Sequence, residues 1–248
     1  MRSTDRTPAV IDDRAAAREV WREGLGVAIA TSAYGISFGA LAVASGLDVW
    51  QTCVLSLVMF TGGSQYAFIG VFSAGGMAAL PSAVASAALL GVRNIAYGMR
   101  MSPIIGEGFW RRTAAAQLTI DESTAVAISQ GSTRLRRLGF WITGLGVFIG
   151  WNLTTLAGAL LGDVLGDPKA WGLDAAAAAA FLALLWPRLK QRQAIAVGVA
   201  AAVVAGSLTP FLMPGLPVLV AAVVAIVVGW FNWFSRDDDR TPSEEVTA

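Results

Sequence analysis

The sequence contains no histidine, one cysteine and few charges. Only 14% of its 248 residues are Asp, Glu, Lys or Arg, against about 25% in an ordinary soluble domain. Without histidine, serine-histidine-aspartate and cysteine-histidine chemistry are excluded, and so is the side chain that titrates near neutrality. Cys53 alone forms neither an internal disulfide nor a cysteine metal cluster, so no metal and no cofactor are expected. A net charge of +1 with no basic stripe gives nothing to neutralise phosphates, which argues against a nucleic-acid partner. What the chain has instead is apolar sequence: 55% of it is hydrophobic, with a mean hydropathy of +0.61.

The few charges collect at the ends, ten of them in residues 1–23 and seven in 236–248. Between lie four uncharged runs, 24–47, 49–92, 138–162 and 193–235. A membrane-spanning helix needs about 20 apolar residues, so the first and third runs read as one span each and the other two as two each. The expected fold is all-α, a polytopic helical membrane bundle, with charged cytoplasmic tails at 1–20 and 235–248 around a single transmembrane domain at 21–234. Residues 1–23 have no apolar core of their own and do not read as a cleaved signal peptide.

Breaking the runs at Gly, Pro and polar clusters places spans near 21–45, 49–73, 78–101, 138–161, 173–186, 194–208 and 216–234. An eighth segment, 113–129, carries Asp121 and Glu122 at its centre and reads as a span, a half-span or an interfacial helix. That gives seven to eight segments. Lys and Arg favour the cytoplasmic side, which puts Arg134, Arg136 and Arg137 inside. If 113–129 crosses, Arg111 and Arg112 lie outside and the N-terminal tail inside; if it does not, they lie inside and the tail outside, so an eight-span chain with both ends inside is favoured. Tyr34-Gly-Ile-Ser-Phe-Gly39-Ala-Leu and Leu153-Thr-Thr-Leu-Ala-Gly158-Ala-Leu are alike, which reads either as an internal duplication or as chance among small-residue helices.

Several residues do not belong in lipid. Gly35 and Gly39 either break the first span and free backbone groups for a ligand or form a small-xxx-small packing face. Thr61-Gly62-Gly63-Ser64-Gln65-Tyr66 places a glycine pair and hydrogen-bonding side chains inside an uncharged run. Such a cluster can unwind a helix and present amides to an anion, or make polar contacts between helices. Arg93, with Asn94 and Tyr97, normally needs a partner at depth. It reads as a bidentate carboxylate ligand, as a snorkelling side chain, or as the partner of Asp121 or Glu122. Those two acids are the proton-carrying candidates in a chain without histidine. Asn152 is a further cavity candidate beside Trp151, Thr154 and Thr155.

These motifs resemble the AzlC-type branched-chain amino acid permeases. The resemblance rests on Gly35-Ile-Ser-Phe-Gly39-Ala with Gly46-Leu47, Phe60-Thr-Gly-Gly-Ser-Gln65, Arg93 to Pro103, Asp121-Glu122, and Leu173-Asp174 leading to Pro187. It implies a cytoplasmic-membrane exporter of valine, leucine and isoleucine, in some relatives methionine, working with a small four-span AzlD-type subunit. The family's usual Asn-x-Arg-His is Gly91-Val-Arg93-Asn94 here. On that basis the substrate carboxylate is expected at the amides of Gly62 and Gly63, with Ser64 and Arg93. The ammonium is expected at Gln65, carbonyls near Ile36, and Asp121 or Glu122, and the side chain among Phe38, Phe60 and Tyr66. A channel, or a transporter of another small zwitterionic or neutral solute, is the competing reading.

Overall fold

The computed structural model describes residues 8–165, 192–212 and 216–231, with isolated positions between 182 and 189. The expected span 173–186, the motif Leu173-Asp174 and the tail 235–248 fall largely or wholly outside these. Among the described residues the protein is helical, and three helices are long and apolar enough to cross a membrane. They are Arg14–Ala44 within α1 (Pro8–Ala44), Gly62–Ile105, which ends in α4 (Leu80–Ile105), and Thr133–Val164 within α7 (Thr133–Leu165). The shorter helices of the same unit are α2 (Val49–Val58), α3 (Gly62–Gly75), α5 (Phe109–Leu118) and α6 (Asp121–Ile128). In the second unit, α8 (Arg192–Leu208) and α9 (Leu216–Phe231) pack on each other. They lie where 194–208 and 216–234 were expected. Residues 8–20, assigned to a tail by charge, are the start of α1.

The spine of the first unit is α1 against α7, and glycines decide it. Gly24 lies against Thr143, Gly150 against Ser32, Gly39 against Thr155 and Ala159, and Gly158 against the Ile36 carbonyl. Residue numbers rise together along both helices, so α1 and α7 are parallel. Of the two readings of Gly35 and Gly39, the break does not occur, because α1 runs unbroken to Ala44. Both glycines are instead the packing face, with no room for a Cβ beside the backbone of α7. The two similar octapeptides meet in a reciprocal contact: Gly39 touches Thr155 and Gly158 touches Ile36, and in the alignment Gly39 matches Gly158 as Ile36 matches Thr155. Thr154 Oγ bonds the Ser32 carbonyl at 2.6 Å across this seam.

The short helices form two hairpins that enter from opposite ends. At the α1–α2 corner Gly46 turns the chain with φ 98°, and Asp48 caps α2 through a reciprocal pair with Gln51 at 2.7 and 3.0 Å. Along α7, Ser56 of α2 reaches Thr155, and Phe60 then reaches Phe148. After the break α3 turns back, with Tyr66 bonding the Tyr34 carbonyl and meeting Phe38. The stretch 49–73 is therefore not one span: α2 and α3 enter and return at the same end. At ~1.5 Å per residue, their 10 and 14 residues are each too short for a ~30 Å hydrocarbon core.

The chain reverses at Gly75–Ala79, and α4 descends along α3 to the other end of the unit, where Arg137 bonds the Ile104 carbonyl at 2.5 Å. From there α5 rises until Leu118 meets Gly144 of α7. Next α6 falls back through Val126, which faces Gly139, to Gln130, which bonds Glu23 of α1 at 2.9 Å. Segment 113–129 thus enters half-way and returns. This removes the conflict over Arg111 and Arg112. Two expected spans are hairpins that return to the end they start from, so those arginines, Arg14, Arg18, Arg22, Arg134, Arg136 and Arg137 share one end of the unit. Asp48 and Asp163 lie at the opposite end.

Candidate functional site

The two hairpin tips meet near the middle of α4 and α7, and each tip is stitched by a side chain from the half-helix that follows it. In the α2–α3 tip Gln65 is fully buried. Its amide nitrogen donates to the carbonyls of Met59 at 2.8 Å and Ser56 at 3.4 Å, and its oxygen accepts from Trp151 Nε1 at 2.9 Å. The carbonyls that α2 leaves without partners at its C-terminus are thereby satisfied away from water. In the α5–α6 tip Ser123 Oγ donates to the Leu118 carbonyl at 2.6 Å and accepts from Ile120 N at 3.1 Å. Gln117 ties the tips together by donating to the Leu57 carbonyl at 2.8 Å.

Arg93 lies between the tips. Its Nη1 is 3.0 Å from Asp121 Oδ2 at the start of α6, and both side chains are about 30% exposed. Its other terminal nitrogen sits over Gly63, 2.8 Å from where a Cβ would stand. A Cβ at 63 would push this guanidinium aside. The first turn of α3 has no side-chain cap, so the amides of Gly62, Gly63 and Ser64 are left as donors. Ser64 Oγ and Arg93 Nε are buried without hydrogen-bond partners.

A cavity of about 320 Å³ adjoins this point, lined by Leu55, Met59, Thr61, Ser64, Phe68, Val84, Ala87, Ala88 and Gly91. That volume is at the lower end of the range for small-molecule sites, roughly 300–1,000 Å³. The apolar pocket expected from Phe38, Phe60 and Tyr66 is elsewhere and filled: Phe38 and Tyr66 pack with Trp151 in a buried aromatic cluster. Phe60 packs edge-on against Phe148.

Of the residues singled out by sequence, Gly62, Gly63, Ser64, Gln65, Arg93 and Asp121 come together. Tyr97 follows one turn after Arg93 on α4, and Asn94 Oδ1 is buried without a partner. Glu122 is half-buried beside Asp121. Gly35 and Gly39 belong to the seam, and the Ile36 carbonyl is covered by Gly158. Asn152 donates to Phe148 within its own helix at 2.7 Å. Sequence reasoning ranked Trp151 low and passed over Ser123. Trp151 is the hydrogen-bond partner of Gln65 and the wall against Gly62. A Gly63→Ala substitution is expected to displace the Arg93 guanidinium and lengthen the Arg93–Asp121 contact. A structure of the variant with this pair unchanged at 3.0 Å would refute the close approach.

Opposed half-helices, with uncapped amides and one cation where they meet, define a helical membrane protein of the transport type, in which helix ends at depth line a solute path. The family model described as AzlC protein matches residues 26–165, more than half of the chain, and the chain belongs to that family. No curated protein and no solved structure matches it.

Proposed function

We propose that this chain is the substrate-carrying subunit of a branched-chain amino acid exporter in the cytoplasmic membrane, taking valine, leucine, isoleucine and methionine. The observation that carries the reading is the cluster at the α3 N-terminus, where amides, Ser64 and Arg93 offer donors to a carboxylate beside an apolar cavity. The aliphatic side chain occupies that cavity. Asp121 and Glu122 receive the ammonium or a transported proton, and a small four-span AzlD-type subunit completes the transporter. The arginine-rich end faces the cytoplasm, by the excess of Lys and Arg on that side. Three crossings by α1, α4 and α7, with a hairpin from each face, are the topology of residues 8–165. Gln65 and Trp151 hold one tip closed, which favours a carrier over an open pore.

The test is efflux of preloaded radiolabelled valine, leucine, isoleucine and methionine from cells expressing the chain with and without the small subunit. Saturable efflux that requires both proteins is expected. Absence of efflux for all four, with both proteins present in the membrane, would refute the reading. Within it, Ala88→Leu narrows the cavity. Leucine and methionine efflux should fall relative to valine by about tenfold or more, since one methylene in an apolar pocket discriminates to that degree. An unchanged ratio would place the side chain elsewhere.

A further inference from the structure

Around Gly63 the structure collects donors without an acceptor. Ser64 Oγ, 1% exposed and facing the cavity, has no partner, and neither does Arg93 Nε. The α3 amides have no side-chain cap. A guanidinium against the positive end of a helix is electrostatically unfavourable. Here it is compensated from one side, by Asp121 at 3.0 Å on the tip of the opposite hairpin. The face of Arg93 towards α3 still lacks an anion.

Resting on the function proposed above, we propose that Arg93 is a shared counter-ion. The substrate carboxylate seats against the α3 N-terminus and Ser64 by taking Arg93 from Asp121, and the released Asp121 takes up one proton. The step balances simply: the substrate stays a carboxylate, one O–H bond forms on Asp121, and the proton comes from water. Losing the guanidinium removes the charge that balances the carboxylate, and the proton takes its place.

Glu122 follows Asp121 on α6 itself. The charged side chains Glu23 of α1 and Arg136 of α7 meet Gln130, beyond the far end of α6. Because the pair joins α4 to the α5–α6 tip, separating it also frees that hairpin from α4. Loading and gate release on the arginine-rich side are then one event.

The experiment uses the full-length chain with its small subunit in weakly buffered proteoliposomes, titrated with valine while proton uptake and valine exchange are recorded. Wild type is expected to take up about one proton per valine bound. Asp121→Asn is expected to lose that uptake while still binding valine. Arg93→Ala is expected to lose binding, and Arg93→Lys to restore part of it, which separates a charge role from a folding defect. Asp121→Glu should recover proton uptake. Undiminished proton uptake in Asp121→Asn, or binding lost there as fully as in Arg93→Ala, overturns the inference. A wild type that exchanges valine with no proton uptake overturns the inference alone. A wild type that neither binds nor exchanges any of the four amino acids overturns the functional reading and the inference with it.

Discussion

Gln65→Leu is expected to inactivate transport and to lower stability by about 2–5 kcal/mol, because it orphans groups at both ends of the amide. The Ser56 carbonyl loses its side-chain donor, the Met59 carbonyl keeps only Thr61 N, and Trp151 Nε1 loses its acceptor; an unsatisfied buried polar group costs about 1–3 kcal/mol. With the α2 C-terminus no longer tied to α3, the tip should open and the aromatic cluster of Trp151, Phe38 and Tyr66 loosen. Gln65→Glu discriminates finely: a carboxylate still accepts from Trp151 but faces the Met59 carbonyl with an acceptor. It should therefore be nearly as damaging at neutral pH. Thermal unfolding of purified variants, followed by tryptophan fluorescence, reads the effect. A Gln65→Leu protein as stable as wild type would show that the tip is held by something else.

The second large effect is expected at the seam. A Cβ on Gly158 would meet the backbone of Ile36, and one on Gly39 the backbone of Thr155 and Ala159. Backbone cannot swing aside as a side-chain end can, so even alanine must push α1 from α7. Overpacking of a tight interior costs about 1–3 kcal/mol and occasionally more, and Gly39→Ala with Gly158→Ala should exceed either single change. Gly26, with nothing within 4 Å of its Cβ position, is the control: Gly26→Ala should leave stability within about 0.5 kcal/mol. Equal stability of all these variants would mean that the glycines are not required for the packing.

Much of the fold was legible because charge is absent where lipid is met: α1, α4, α7, α8 and α9 lie within or close to their expected spans. The direction of the chain was not legible. The uncharged run 49–92 measures apolar length, whereas the return of α2–α3 depends on Phe60 and Gly62 meeting Phe148 and Trp151, nearly 90 residues away. The same holds for α5–α6 against Gly144. At the site, Gly62 to Gln65, Arg93 and Asp121 stood out as residues lipid does not tolerate. That Gln65 supports the tip while Ser64 faces the cavity depends on its partners, which no local pattern encodes. Gly35 and Gly39 carried two readings because a glycine that breaks a helix and one that packs it look alike in sequence. The decision lay in α7.

The parallel pairing of α1 with α7 also sets an order on biosynthesis. The partner of Gly39 is Thr155, over a hundred residues later, and at about 5–20 residues per second the ribosome takes roughly 6–24 s to reach it. During that interval α1 sits in the bilayer with its glycine face and the Ser32 carbonyl uncovered. The hairpin tips lack their α7 contacts meanwhile, since Phe60, Gln65, Leu118 and Ser123 all rest on α7. Nascent chains stopped before α7 should therefore be recognised as unfinished by membrane quality control. The unit closes only when its last long helix arrives.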